Sequence, residues 1–302
     1  MLRLNDLILL LVLFSSMAGG IIFPKLTEPL RSYPLFFMMF LMFLSFMTIR
    51  PKDIFLTLKD FSALVVVLTA LKLIVLPLSV YFLFKAFCPD YAAGALLLSG
   101  ISTGVVAPFI CTLVGANGAL VLLMVVTSSP LVPLTLPALV KILLAKEIEL
   151  PFLGMVSNLA MVVFIPIAMV ELFRKFIPGF LLTLDKKRYP LSLCCFAFIN
   201  LGIFSRYSDF FRQKPQIIAE ATLAAAVLAI LLGIAGIAVM WRRAAPDQIA
   251  SAISMANINN VLIIVFASQF FGPLEPTLAA MYMIPFFGVI IPMRLYIRAN
   301  SP

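Results

Sequence analysis

Histidine is absent from all 302 residues, and charged side chains make up only 12% of them. The first absence excludes Ser-His-Asp and Cys-His nucleophilic catalysis and every histidine-ligated zinc centre. The second excludes an ordinary soluble domain, in which about a quarter of residues carry charge and about half are apolar; here 63% are hydrophobic. So large an apolar excess cannot be hidden in a water-soluble core, because the surface around a core must be covered by something polar. The bilayer is the expected solvent. Cysteine is scarce: Cys88, Cys111, Cys194 and Cys195 lie within or beside apolar runs without zinc-ligand spacing. They read as reduced packing residues with no disulfide framework. Gly-rich phosphate loops, EF-hand spacing and a leading basic patch are also missing, so neither a cofactor nor a nucleic-acid partner is expected. Lys and Arg outnumber Asp and Glu by 22 to 13, but they sit in short connectors between apolar runs, where membrane topology accounts for them.

A helix needs about 20 apolar residues to cross about 30 Å of hydrocarbon. Ten stretches between polar breaks are candidates: 7–23, 35–49, 61–87, 91–115, 119–144, 153–173, 190–205, 217–241, 248–271 and 275–297. The longest connector, 174–189, is too short for a soluble domain, so 1–302 reads as one all-α polytopic membrane domain. Arg3 and the small residues Ser15–Gly20 resemble a signal peptide, yet the apolar run continues through Phe23, and the first span is expected to be retained. Thirteen Lys and Arg fall on the side of the termini and eight on the other. This places both termini in the cytoplasm of a multi-pass protein of the inner (plasma) membrane. Ten spans divide into halves of five, 1–145 and 146–302. An odd number per half makes any duplication inverted, the usual architecture of secondary transporters, with the substrate site where interrupted helices meet near the midplane.

Two spans break the apolar pattern together. The fourth contains Ser99-Gly100-Ile101-Ser102-Thr103-Gly104 and Pro108, then Thr112 and Asn117; the ninth contains Ser251, Ser254, Asn257, Asn259, Asn260 and Gln269. Pro108 lacks an amide donor and should kink or unwind its helix. An isolated Ser or Thr reads as interhelical glue. Three asparagines within four residues point instead to a polar cavity, because their burial in hydrocarbon is costly. Gly233, Ala235 and Gly236 in the eighth span read as close-packing contacts. Lys72 lies about eleven residues or more from either end of the run 61–87, too deep for a short reach to water. An amine at that depth marks a functional site. Its candidate counter-ions, Glu171, Glu220 and Glu275, all lie near span ends, so helix C-terminal carbonyls are the alternative partner.

From Met38 to about Pro137 the chain resembles the bile acid:sodium symporter family, and more weakly at Phe164–Pro178 and Ala252–Asn257. The resemblance rests on Met39–Met42 followed by Arg50–Asp53, on Val75-Leu76-Pro77-Leu78, on Gly94–Leu98 leading into the Ser/Thr/Gly run, and on Leu113–Asn117. It implies ten helices in a panel and a core domain, with the fourth and ninth unwound where they cross, and transport of organic anions, often with sodium. The family's sodium ligands are not matched. Its Ser-Asn pair falls on Ala107-Pro108, and its later Ser and Thr on Val121 and Val125. Its Glu-x-Gly-x-Gln-Asn motif falls on Ala252–Asn257, keeping only the Asn, and its third-helix Gln falls on Lys72.

The resemblance then implies a carrier of a bile-acid-like or other carboxylate working by alternating access, with Lys72 tethered in place of sodium. Two sodium ions against one Glu, or one lysine against none, both leave a charge of +1. The candidate substrate-binding residues are Lys72, Thr103, Pro108, Thr112, Ser254, Asn257, Asn259 and Asn260, with no metal ligand among them. Such a carrier would work as a uniporter or exchanger, or with protons as coupling ion if Lys72 releases its proton in one state. A non-transporting sensor or channel of the same fold, and a conventional sodium-coupled symporter, stay open. An enzyme is not expected, since an acid–base pair or metal site is missing.

Overall fold

Hydrocarbon offers the backbone no hydrogen-bond partner, so an apolar chain must satisfy its amides and carbonyls internally, and helices do so segment by segment. The computed structural model describes residues 4–47, 63–144 and 151–300. Arg3, the Arg50–Asp53 connector, Lys59 and Lys146 lie outside the described residues. Within them every regular element is helical. The first two helices are α1 (Leu4–Ile22) and α2 (Pro34–Phe46). The continuous helix α3 (Ala63–Phe87) is followed by the short helices α4 (Ala92–Gly100) and α5 (Ala107–Val114) and the long α6 (Gly118–Leu144). Next come α7 (Phe152–Phe176), α8 (Pro178–Lys186), α9 (Arg188–Arg206), α10 (Ser208–Gln213) and α11 (Gln216–Val239). The chain closes with α12 (Ala245–Ala256), α13 (Asn260–Phe270), α14 (Leu274–Met281), α15 (Met283–Gly288) and α16 (Ile290–Asn300).

Among the described residues six helical stretches are long and apolar enough to cross a membrane: α3, α6, α7, α9, α11 and the run α14–α16. Leu11, Phe36, Val66, Leu134, Leu153 and Leu223 stand exposed on the outer faces, where acyl chains rather than water are the compatible neighbour. The protein is a polytopic membrane protein. The fourth and ninth spans, expected to be unwound, are each two short helices. Two sequence expectations need revision. The tenth is three consecutive segments, with Pro285 and Pro292 each removing an amide donor near a junction. The 174–189 stretch is not a bare connector, because Pro178 opens α8 there.

The helices form two packed groups. In one, α9 lies against both α1 and α2, and α2 against α7. In the other, α4 packs on α3, α5 and α12 pack on α6, α12 also packs on α11, and α14 joins α11 and α13. Helix α6 packs along α7 and joins the two groups, and α13 reaches across to α2, α7 and α9. Close approaches use glycine. A Cβ on Gly236 would fall 2.5 Å from Ala252 Cα and 2.7 Å from Ala252 N, so α11 meets the backbone of α12 directly. Gly233, expected to pack similarly, has open space beside it. Gly236→Val should therefore destabilise the protein by about 1–3 kcal/mol through overpacking, while Gly233→Ala should stabilise it by about 0.5–1 kcal/mol through helix propensity. Thermal unfolding in detergent checks the pair. All four cysteines are free, with Cys111 and Cys195 buried. Cys88 and Cys194 are exposed and are not core packing residues.

Candidate functional site

Helix α3 widens in the middle. Pro77 cannot donate to a carbonyl one turn earlier, and its ring would crowd that carbonyl. The chain accommodates this with a π turn over Leu71–Val75, in which Leu76 N donates to Leu71 O. Such turns appear mostly at functional positions. Lys72 sits within it, fully buried, and its Nζ donates to Met255 O at 2.8 Å. The amine thus reaches the carboxyl end of α12, where the helix dipole places partial negative charge.

The last turn of a helix leaves four carbonyls without intrahelical donors. In α12 each has a partner. Ile253 O accepts from Asn257 N at 2.8 Å, Ser254 O from the Thr103 hydroxyl at 2.8 Å, and Met255 O from Lys72. Ala256 O accepts from Ile258 N at 3.0 Å and from the Tyr282 hydroxyl at 2.7 Å. Three side chains, from α3, from the α4–α5 break and from the α14–α15 junction, therefore close one helix end in the interior of the protein.

The break in the α4–α5 pair lies against the break in the α12–α13 pair. Thr103 and Ile258 form an antiparallel bridge; Gly104 N donates to Asn257 O at 2.7 Å, and Asn259 N to Ser102 O at 3.0 Å. Thr103 N donates to Ser128 Oγ at 3.1 Å. A Cβ on Gly104 would lie 2.7 Å from Ile258 O, so glycine is needed for the two chains to approach this closely. Beyond the break, Pro108 falls in the first turn of α5, where its missing amide is harmless. At the far end of α5, Gly115 adopts a left-handed φ of 82° and closes the helix with its amide on Cys111 O.

The candidate residues separate by role. Lys72, Thr103, Ser254 and Asn257 meet at the crossing. Ser254 contributes its carbonyl, its hydroxyl being folded back onto Ala250 O at 2.8 Å. Asn257 Nδ2 donates to Phe286 O at 3.3 Å, and its Oδ1 is buried without a partner. Asn259 caps α13 by accepting from Leu262 N at 3.4 Å. Asn260 is buried with both amide atoms unpartnered, as is the Ser102 hydroxyl. The side chain of Thr112 lies outside the described residues. Sequence reasoning did not place Tyr282 in this group, and it did not single out Ser128 as a binding residue. Ser128 is one of three consecutive hydroxyl residues, Thr127–Ser129, with nothing in the sequence to separate it from its neighbours, and a single tyrosine in an apolar span carries no signal of its own.

No carboxylate approaches Lys72 among the described residues. Glu171 pairs with Arg174, Glu220 accepts from the Tyr91 hydroxyl at 3.4 Å, and Glu275 takes backbone amides at the start of α14. Ala107, Val121, Val125, Ala252 and Ala256, standing where sodium ligands were sought, are buried and bear no side-chain oxygen.

A polytopic helical protein with two interrupted helices crossing in its interior has the makings of a membrane transporter. Residues 34–214 match the model of the Sodium Bile acid symporter family. The chain belongs to that family, whose members are membrane transporters and not enzymes. A search of curated proteins finds no match. The matched stretch contains Lys72 and Thr103 but ends before Met255, Asn257 and Tyr282, the other side of the crossing.

Proposed function

We propose that the protein is a secondary transporter of an organic anion, bile-acid-like or another carboxylate, in which Lys72 takes the place of bound sodium. One observation carries this reading: the Lys72 amine lies on the carboxyl end of a half-helix at the crossing of two interrupted helices. A cation favours that helix end, and an ammonium on a tether meets the same electrostatic need as a metal ion. The residues at the expected ligand positions do not fit sodium, a hard cation that takes oxygen donors, since alanine and valine supply none and an ammonium repels it. The positive charge would then serve the anion, together with the amino ends of α5 and α13 and the unpartnered hydroxyl of Ser102 and amide of Asn260.

The breaks in the fourth and ninth spans, one in each half, support two inverted five-helix repeats, 1–145 and 146–302, and ten crossings with both termini cytoplasmic. The two packed helix groups suit a panel and a core that exchange access between sides. A fixed cation cannot carry energy across the membrane as a released ion does, so the carrier works as a uniporter or exchanger, or couples to protons through Lys72.

Uptake of labelled organic acids into proteoliposomes tests the reading. Equal rates in sodium and in potassium are the expected result, and a strict sodium requirement would refute the substitution. A ligand-dependent rise in melting temperature without any flux would identify a sensor built on a carrier fold.

A further inference from the structure

A second cluster of cationic side chains lies away from the crossing. A cavity of about 220 Å³ opens between the α1–α2 connector, the end of α9 and the end of α13, and both Arg31 and Arg206 line it. Ser32 and Gln269 add polar atoms to its wall, and Leu35 and Ile203 an apolar side.

Arg31 is held in place. Its Nε donates to Ser205 Oγ at 3.0 Å and its Nη2 to Ser205 O at 3.1 Å, while Ser205 Oγ in turn donates to Pro24 O at 2.9 Å. The connector that carries it is pressed onto α9, where a Cβ on Gly202 would lie 2.5 Å from Leu30 O. Its contact with Glu28, 3.6 Å long and on an exposed carboxylate, is the solvated kind that contributes little. Arg206 lies over the Tyr207 ring, 6.0 Å from its centroid, and makes no ion pair among the described residues. The opposite wall is fixed as well: Gln269 accepts from Asn158, and Tyr207 donates to Ser268 O at 3.1 Å. The two connectors at this end, 24–33 and 206–215, carry five basic and two acidic residues.

Two arginines lining one cavity with an apolar wall match an oxyanion attached to an apolar body, because the guanidinium fork binds carboxylate, sulfonate and phosphate through paired hydrogen bonds. The volume is below the 300–1,000 Å³ or so of pockets for drug-sized ligands, so it takes a head group rather than a whole large amphiphile. We infer that this cavity is a second anion site, distinct from the helix crossing, which holds an oxyanion head group between Arg31 and Arg206 with the adjoining apolar portion against Leu35 and Ile203. The occupant is either a solute anion on its way to the crossing or the phosphate of an anionic lipid. The inference does not depend on Lys72.

Titration of the full-length protein in neutral detergent with dansylglycine, a small fluorescent carboxylate, tests it by stoichiometry. Two sites per chain are expected, one lost in Arg206→Glu and the other in Lys72→Met. Arg206→Gln should weaken its site about tenfold, the scale of one lost hydrogen bond to a charged group. Arg31→Lys, which keeps the charge, should weaken it less than Arg31→Gln. Retention of both sites at wild-type affinity in Arg206→Glu would overturn the inference, whereas their retention in Lys72→Met would overturn the proposed role of Lys72 alone. Repeating the titration in nanodiscs separates the sources. Loss of the Arg206-dependent site in phosphatidylglycerol but not in phosphatidylcholine assigns it to lipid phosphate, and its persistence in both assigns it to a solute.

Discussion

Lys72→Met is expected to abolish uptake of organic anions while the protein stays folded. Methionine keeps much of the length of the lysine and fills an irregular interior gap, but it cannot donate to Met255 O. An orphaned buried carbonyl costs about 1–3 kcal/mol. Against this, the variant no longer buries an ammonium, whose desolvation costs several kcal/mol. The two changes oppose each other, so the melting temperature should move little. For the anion nothing offsets the loss. A unit charge 4–8 Å away contributes about 2–4 kcal/mol at an effective dielectric constant of about 20, which is roughly thirtyfold to a thousandfold in affinity. Labelled-acid uptake and thermal unfolding of the same preparation decide the matter. Wild-type uptake by the variant would reduce Lys72 to a helix cap. Lys72→Gln is a useful companion, because it restores the side chain that the family places here. Uptake that becomes sodium-stimulated in it would mean that part of a metal site survives around the crossing.

Gly104→Ala is expected to have the largest effect on stability. The added methyl would lie 2.7 Å from Ile258 O and 3.0 Å from Asn257 O, and both neighbours are backbone atoms that cannot swing aside. Relief requires the two breaks to separate. That stretches the bond from Gly104 N to Asn257 O and the bridge between Thr103 and Ile258, and it draws the Thr103 hydroxyl away from Ser254 O. Overpacking together with one or two weakened buried hydrogen bonds amounts to about 2–4 kcal/mol. The unfolding transition of the purified variant should fall accordingly. Gly179→Ala, at a glycine in the first turn of α8 with open space around it, is the control that should leave the transition unchanged or raise it slightly. A Gly104→Ala protein as stable as wild type would mean that the crossing accommodates separation cheaply.

Lys72 was legible in the sequence because a charged side chain near the middle of the run 61–87 has no bland explanation at that depth, whereas Lys85 lies at its end. The crossing was legible for a similar reason: Ser, Thr, Gly and Asn gathered in two spans whose neighbours were greasy. What could not be read was which atom of each residue matters. Ser254 acts through its carbonyl and Asn259 through a cap, and composition does not distinguish a side chain that faces a ligand from one that folds back on its own helix. Tyr282 stayed hidden because its partner, Ala256 O, is a backbone atom more than twenty residues away. The two-arginine cavity was equally invisible, since Arg31 and Arg206 are far apart in the chain and each looks like an ordinary topological charge. Gly233 and Gly236 show the limit plainly. The same residue type three positions apart meets empty space in one case and a neighbouring backbone in the other.

The π turn in α3 has a consequence for how the amine is aimed. It contains one residue more per turn than the helix on either side of it. A five-residue π turn covers about the rotation of four α-helical residues, so deleting a single residue from Leu71–Val75 would restore a regular α-helix with its flanking turns still in phase, but would remove the widening from which Lys72 projects. The backbone position from which the amine reaches Met255 O would then shift without any change in its chemistry. The placement of the cation is thus set by how many residues the chain spends in one turn, which makes the local width of the helix, as much as side-chain identity, a determinant of what this membrane protein can hold.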